Sequence, residues 1–264
     1  MLSRELSSLA KQINYNCPDR FVSGQIIEYD IKQANINMLY KHGIIDDKYY
    51  NYLKHVPKIQ REIIIGNLIK EDKNKYKIIQ DGIKTAKCQL FEANSIKEYE
   101  VVRIANDAVY INRFNKLNYT VFDGIEFVSK SISNCYLRLY SILFFINFEN
   151  NINVDIKGLG EDYTIHQPII SIIVNIINEL QCIGVKAAMK SLGDFIDDYQ
   201  NRRLGVEYYR EMNDIAAYRV IGGEFYISNL NNILPEIDIN YNLYILRELS
   251  SILYEIYTST YRKL

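Results

Sequence analysis

The sequence contains no tryptophan and has only four prolines and four cysteines in 264 residues. Cys17, Cys88, Cys135 and Cys182 are far apart, with no Cys-x-x-Cys pair and no neighbouring pair of histidines. This spacing argues against a four-ligand zinc site, and a disulfide framework is not expected in a chain of this size. Reduced thiols of an intracellular protein are the expected state. Long apolar runs are also missing. Leu137–Phe148 is interrupted by Arg138, and Ile169–Ile177 by Ser171 and Asn175; both fall short of the ~18–20 residues that span a bilayer. The polar N-terminus lacks an apolar signal core, so a cytoplasmic chain without a membrane partner is expected. Neither sign of charge dominates: 31 Lys+Arg against 32 Asp+Glu leave a net charge of −1. That balance excludes a nucleic-acid clamp that works by bulk positive charge, while a local basic groove stays compatible with it.

Other familiar signatures are absent as well. No Gly-x-x-x-x-Gly-Lys-Ser/Thr loop occurs, which leaves a P-loop nucleotidase unsupported. His42, His55 and His166 are scattered, and none stands at ligand spacing from a carboxylate. The lone Gly-rich turn at residues 158–162 is the end of a hairpin more readily than a phosphate cradle. What the chain does have is 48% hydrophobic and 24% charged residues, enough for a sizeable core. The bias towards Ile, Asn, Lys and Tyr is that of an AT-rich coding sequence.

Periodicity and turn signals predict an α+β protein with a mixed first part and a mostly helical last part. Residues 1–23 read as a helix and turn. Gly24–Ile31 reads as a strand carrying Asp30 at its end, followed by helices over Lys32–His42, Asp46–Lys54, Lys58–Lys70 and Tyr76–Ala93. Glu100–Ile104 and Ala108–Asn112 are strands around Ala105-Asn106-Asp107. Tyr119–Phe122 and Ile125–Lys130 flank Asp123-Gly124, a strong hairpin signal. Tyr136–Phe148 and Ile152–Ile156 form a further β pair. Helices follow at Pro168–Cys182, Val185–Tyr199, around Val206–Tyr218 and at Asn240–Tyr257. The expected division is a lobe over residues 24–163, with an insertion at 46–93, and a helical lobe over 164–264.

Two carboxylates stand out by context. Asp30 ends an apolar strand, and Asp107 sits at the tip between two apolar strands. On adjacent strands such a pair can hold two Mg²⁺ ions roughly 3.5–4 Å apart, for in-line phosphoryl transfer. Each alone reads more readily as a turn or helix-capping aspartate.

The order of these segments resembles the palm of template-dependent polymerases, most closely the family B DNA polymerases. Asp30–Asn37 resembles motif A of that family. Arg103–Ile111 resembles motif C, with Asp107 at its metal-holding second aspartate and Ala105 in place of the first. Lys58 and Gly66 keep the end spacing of motif B, with Glu62, Ile63 and Ile65 replacing its inner residues. Leu137-Arg138-Leu139-Tyr140 resembles the Lys-Lys-Arg-Tyr segment that touches the template–primer duplex, and Ile156-Lys157-Gly158 the Lys-Gly beyond it. The resemblance covers residues 24–160, with the helical lobe in the place of a thumb. It implies a polymerase-palm-like antiparallel sheet, Asp30 and Asp107 as catalytic Mg²⁺ (or Mn²⁺) ligands, and Lys58 and Arg61 as contacts to a nucleoside triphosphate. It also implies Arg138, Tyr140 and Lys157 as contacts to a primer-template. Asn35 replaces the motif A tyrosine that excludes the ribose 2′-hydroxyl, which leaves the choice of sugar open. No exonuclease segment is present and the fingers-like insertion is short, so a partner chain supplying further domains is compatible with the pattern. A phage or other viral source is expected, with the host cytoplasm as location.

Local charge agrees with this reading. From Lys54 to Lys87 there are nine Lys/Arg against four Asp/Glu, a balance of +5, which suits a phosphate backbone or equally a solvated helix face. Arg202 and Arg203, beside Tyr208, Tyr209 and Arg210, form a basic–aromatic cluster that fits a nucleic-acid strand or a protein interface. Asp194, Asp197 and Asp198 fit a metal site less well than ion pairs with the arginines that follow. A reading from another class also stands: a non-catalytic binding or assembly subunit on a palm-like scaffold, or a host-directed inhibitor, motivated by Ala105 and the altered motif B.

Overall fold

The computed structural model describes residues 3–149, 152–158, 163–205, 208 and 239–261. The chain divides into two compact units, Met1–Tyr136 and Leu137–Leu264. The protein is α+β, with antiparallel strand pairs and a helical C-terminal part.

In the first unit, α1 (Arg4–Ala10) and β1 (Asn14–Asn16) precede the central strand β2 (Phe21–Ile31). Helices α2 (Ala34–Lys41), α3 (Asp47–His55), α4 (Lys58–Glu71) and α5 (Lys73–Ala93) follow. Their starts are set locally: Asp46 accepts from the Tyr49 N–H and Asp72 from the Asn74 N–H, while Pro57 immediately precedes α4. Strands β3 (Val101–Ala105) and β4 (Ala108–Asn112) form a hairpin, as do β5 (Val121–Phe122) and the long β6 (Ile125–Leu139). The β5–β6 turn is Asp123-Gly124, with φ of 48° and 79°. Two consecutive left-handed residues are what a tight primed hairpin turn requires, and Asp-Gly supplies them at low cost. The strand order in this unit is β1-β3-β4-β2-β6.

Alternation along β2 divides its side chains between two faces. Ile27, Tyr29 and Ile31 enter the hydrophobic core with Ile104, Val109 and Ile111, against Met38, Ile83, Leu90 and Phe91 of the helices. Glu28 and Asp30 lie on the opposite face, both buried. In β6, Ile125 and Phe127 face the core, and so does the even-numbered Ile132.

The second unit takes up the end of β6 and adds β7 (Ile142–Asn147) and β8 (Asn153–Lys157), then α6 (Tyr163–Cys182), α7 (Val185–Gln200) and α8 (Ile239–Tyr261). Gly158, at φ 81°, lies so close to the Ser141 carbonyl that an added Cβ would stand 2.2 Å from it. All four cysteines are free thiols. Among the described residues, no helix is long and apolar enough to cross a membrane.

Several expectations need correction. Residues 1–23 are more than a helix and turn, because Asn14–Asn16 pairs with Arg103–Ala105 and β2 starts at Phe21. Three polar residues carry no alternation signal; their strand exists through its partner. Tyr136–Phe148 is two strands, separated at Tyr140-Ser141, where Tyr140 takes φ 54° without a Gly to signal the turn. The strand expected to stop at Lys130 continues to Leu139. The helix expected around Val206–Tyr218 lies outside the described residues, apart from Tyr208.

One buried cation joins three separate segments of the first unit. Lys87 of α5 is 1% exposed, and its Nζ donates to the carbonyls of Gln12 (2.5 Å) and Asn106 (3.1 Å). Burial lowers its pKa to about 8. The neutral amine still has two N–H groups, one for each carbonyl. Lys87→Met would leave both carbonyls without this donor, and a loss of roughly 1–3 kcal/mol is expected. The sign of the pH effect follows from linkage. Between about 8 and 10.5 the unfolded chain binds the extra proton, so this group adds stability as pH rises. The Tm gap between wild type and Lys87→Met should widen from pH 7.5 to 9.5 in thermal melts; a constant gap would contradict the buried amine.

Candidate metal centre

The β2–β4 register brings the two aspartates together. Asp30 pairs with Ala108, the residue after Asp107, and the Ile31 N–H donates to the Asp107 carbonyl at 3.3 Å. The Asp107 turn is held from below: the Asn106 N–H donates to Ile13 O at 2.7 Å, and Asn106 O accepts from Lys87. Asn106 takes φ 56°, a left-handed conformation that Asn tolerates better than most residues. The side chains of Asp30 and Asp107 are within hydrogen-bonding reach of one another. Burial, and then the negative charge of Asp30, hold the Asp107 carboxyl above the usual carboxylate range.

A third strand supplies a residue that the sequence did not reveal. Lys130 of β6 forms an ion pair with Asp30, whose side chain is only 12% exposed, while Lys130 is 50% exposed. Its ammonium also lies within electrostatic reach of Glu28 and Asp107. The neighbouring Ser131 hydroxyl donates to Glu28 Oε2 at 2.7 Å. Two consecutive residues of β6 thus reach the Glu28–Asp30 pair of β2, Lys130 through Asp30 and Ser131 through Glu28. A Lys at the expected end of a strand gave no signal of this role.

Ala105 occupies an informative place. It pairs with Ala108, which pairs with Asp30, so the three lie in one row across β3, β4 and β2. A carboxylate at position 105 would therefore share the face of Asp30. The residues that are present fit a hard divalent cation: two oxygen-donor carboxylates, one on β2 and one on the β3–β4 turn, the latter raised in pKa by burial and by the charge of Asp30. Among the described residues, no three His, Cys, Asp or Glu side chains gather as ligands for one ion. A pair of carboxylates would be the usual protein share at a Mg²⁺ ion that also binds phosphates and water.

The other expected residues sit as follows. Lys58 opens α4, exposed, and Arg61 is half-buried one turn later; neither pairs with a carboxylate among the described residues. Their helix is tied to the segment after Asp30 through Asn35, whose amide donates to Glu62 at 2.9 Å. Asn35 and Glu62, both departures from the polymerase motifs, bond to each other here. Lys87, counted in the basic stretch, is an interior residue bonded to backbone carbonyls and offers no exposed ammonium for a phosphate contact.

In the second unit, Leu143 pairs with Lys157, and Gly158 abuts Ser141, so the Arg138–Tyr140 and Lys157–Gly158 segments meet across the hairpin. Tyr140 is exposed, its ring 5.1 Å from that of Tyr244, and Lys157 pairs with Asp155 at 2.7 Å. Arg203 is bound by Asp197 and, at 2.6 Å, by Asp198. The ion-pair reading is thus observed for Asp197 and Asp198. Arg202 is exposed at the end of α7, while Tyr209, Arg210 and the side chain of His166 lie outside the described residues.

The carboxylate pair predicts a pH effect. Because Asp107 titrates above its ordinary 3.8 in the folded state, the folded chain holds more protons just above that pH, and stability falls as Asp107 ionises. Asp107→Asn removes this fall. Its Tm relative to wild type is expected to rise between pH 4 and neutrality, by roughly 2–4 °C for each kcal/mol relieved. Thermal melts across that range check it, and a difference that shrinks with rising pH would contradict an Asp107 carboxyl raised by burial and by Asp30.

No curated protein matches the chain. A family model does, over residues 7–257. That family is a phage one, in keeping with the expected source. By this match across nearly its whole length, the chain belongs to the family described as bacteriophage PBS1 gene 130 protein.

Proposed function

We propose that the protein carries a palm-type site for metal-dependent nucleotidyl transfer. The observation that carries this reading is the placement of Asp30 on β2 and Asp107 at the β3–β4 turn, with β2 and β4 paired and the carboxyl groups in mutual reach. A strand-borne and a hairpin-borne aspartate on neighbouring strands is the arrangement that motifs A and C require. Asp30 and Asp107 would hold Mg²⁺ or Mn²⁺. The bound cation would lower the cost of charge developing on a transferring phosphoryl group. The chain's own part is positional. The β2–β4 ladder fixes the separation of the two carboxylates, and the clamp by Lys87 and Ile13 fixes the turn that presents Asp107. Lys58 and Arg61, at the start of α4, are the proposed phosphate contacts. Arg138, Tyr140, Lys157, Arg202 and Arg203 are the proposed contacts to a primer-template.

A second reading is favoured by two specific observations, Ala105 where a metal-binding carboxylate would stand and Lys130 paired with Asp30. It makes the chain a non-catalytic subunit on a palm-like scaffold, held in a stable complex with another replication or host protein.

Primer extension with Mg²⁺ or Mn²⁺ separates the two. The catalytic reading expects extension by wild type and a loss on the order of 100-fold or more in Asp30→Ala and in Asp107→Ala. Equal extension by wild type and the double variant marks any signal as contamination and ends the catalytic reading. No extension, together with a stoichiometric partner chain in a pull-down, favours the scaffold.

A further inference from the structure

Lys130 comes from a different strand than either aspartate, and nothing in the polymerase-like motifs accounts for it. It bonds to Asp30 directly and lies within electrostatic reach of Glu28 and Asp107. A positive charge placed among three carboxylates stands where a metal cation would gain the same attraction. The Asp107 carboxyl is also within reach of both Asp30 and the Lys130 ammonium, so the two aspartates and the lysine form one charge cluster.

We infer that the Lys130 ammonium is a built-in competitor for the cation position between Asp30 and Asp107, displaced when a divalent ion binds. The inference rests on the reading of those aspartates as metal ligands. Three features make the exchange feasible. Lys130 is half exposed and carries a flexible four-carbon stem, so its head can move into solvent without unfolding β6. Among the described residues its ammonium makes one ion pair, with Asp30. An ammonium also attracts the carboxylates as a single charge, where a divalent ion acts with twice that charge at shorter range. The arrangement keeps the buried Asp30 neutralised in the ion-free protein and sets a threshold for metal occupancy.

Mn²⁺ alone, without nucleotide or nucleic acid, tests this by titration calorimetry and by electron paramagnetic resonance of the free ion. Lys130→Met keeps the length and removes the charge. It is expected to bind Mn²⁺ about tenfold or more tightly than wild type, whereas Lys130→Arg should bind no better than wild type. Lys130→Gln carries the same expectation as Lys130→Met and replaces it should that variant not fold. Equal or weaker binding by a folded Lys130→Met overturns the competition while leaving the aspartates as ligands. Absence of Mn²⁺ binding in wild type and all three variants overturns the competition together with the metal-site reading beneath it. Binding in Lys130→Met that survives Asp30→Ala in the same chain also overturns it, because the tighter site would then not be the one Lys130 occupies.

Discussion

The antiparallel pairing of β2 with β4 is the interaction on which the site depends. It runs from Ile26–Asn112 to Asp30–Ala108, so backbone hydrogen bonds rather than flexible side chains determine where the two aspartates meet. A one-residue shift would send Asp30 and Glu28 to the core face and bring Tyr29 and Ile31 out. The apolar set on the odd face therefore protects the register, and with it the carboxylate pair. Burial in the core and chemistry on the other face are two consequences of one alternation.

That pairing also creates an electrostatic difficulty. Two carboxylates in reach of each other, both largely withdrawn from water, repel and are poorly solvated. The protein answers with a cation beside the site, Lys130, and another beneath the Asp107 turn, Lys87. They work differently. Lys87 is interior and bonds backbone carbonyls, so its role is to hold a turn. Lys130 sits at the rim and bonds a carboxylate, so its role is to offset charge. The two readings of function differ in whether a metal ion takes over that second task.

Much of this was legible in the sequence. Ala108–Asn112 as a strand, Asp123-Gly124 as a tight turn, the helix from Lys58 and the position of Asp107 at a hairpin tip all follow from local pattern. The reason is physical: periodicity and turn chemistry are encoded within a few residues. What was not legible depends on partners far along the chain. Asn14–Asn16 is a strand through its pairing with β3, and Lys130 reaches Asp30 from a strand far along the chain. The turn at Tyr140-Ser141 uses a non-glycine residue in a left-handed conformation, which no local rule anticipates. Lys87 looked like one more surface charge because nothing in helical spacing distinguishes a lysine that points inward from one that points out.

The Lys87 clamp also bears on the order of assembly. Its two bonds span 19 residues to Asn106 and 75 to Gln12. The β3–β4 hairpin is local and closes a short loop, whereas the bond to Gln12 must close a long one and bears the larger entropy of closure. The turn that presents Asp107 can thus take shape early, yet it becomes rigid only when the segment before β1 arrives over it. Since Ile13 and Gln12 both bond to this structure, a stretch with no chemistry of its own completes the site. The earliest part of the chain is, in this sense, the last component of its most consequential corner.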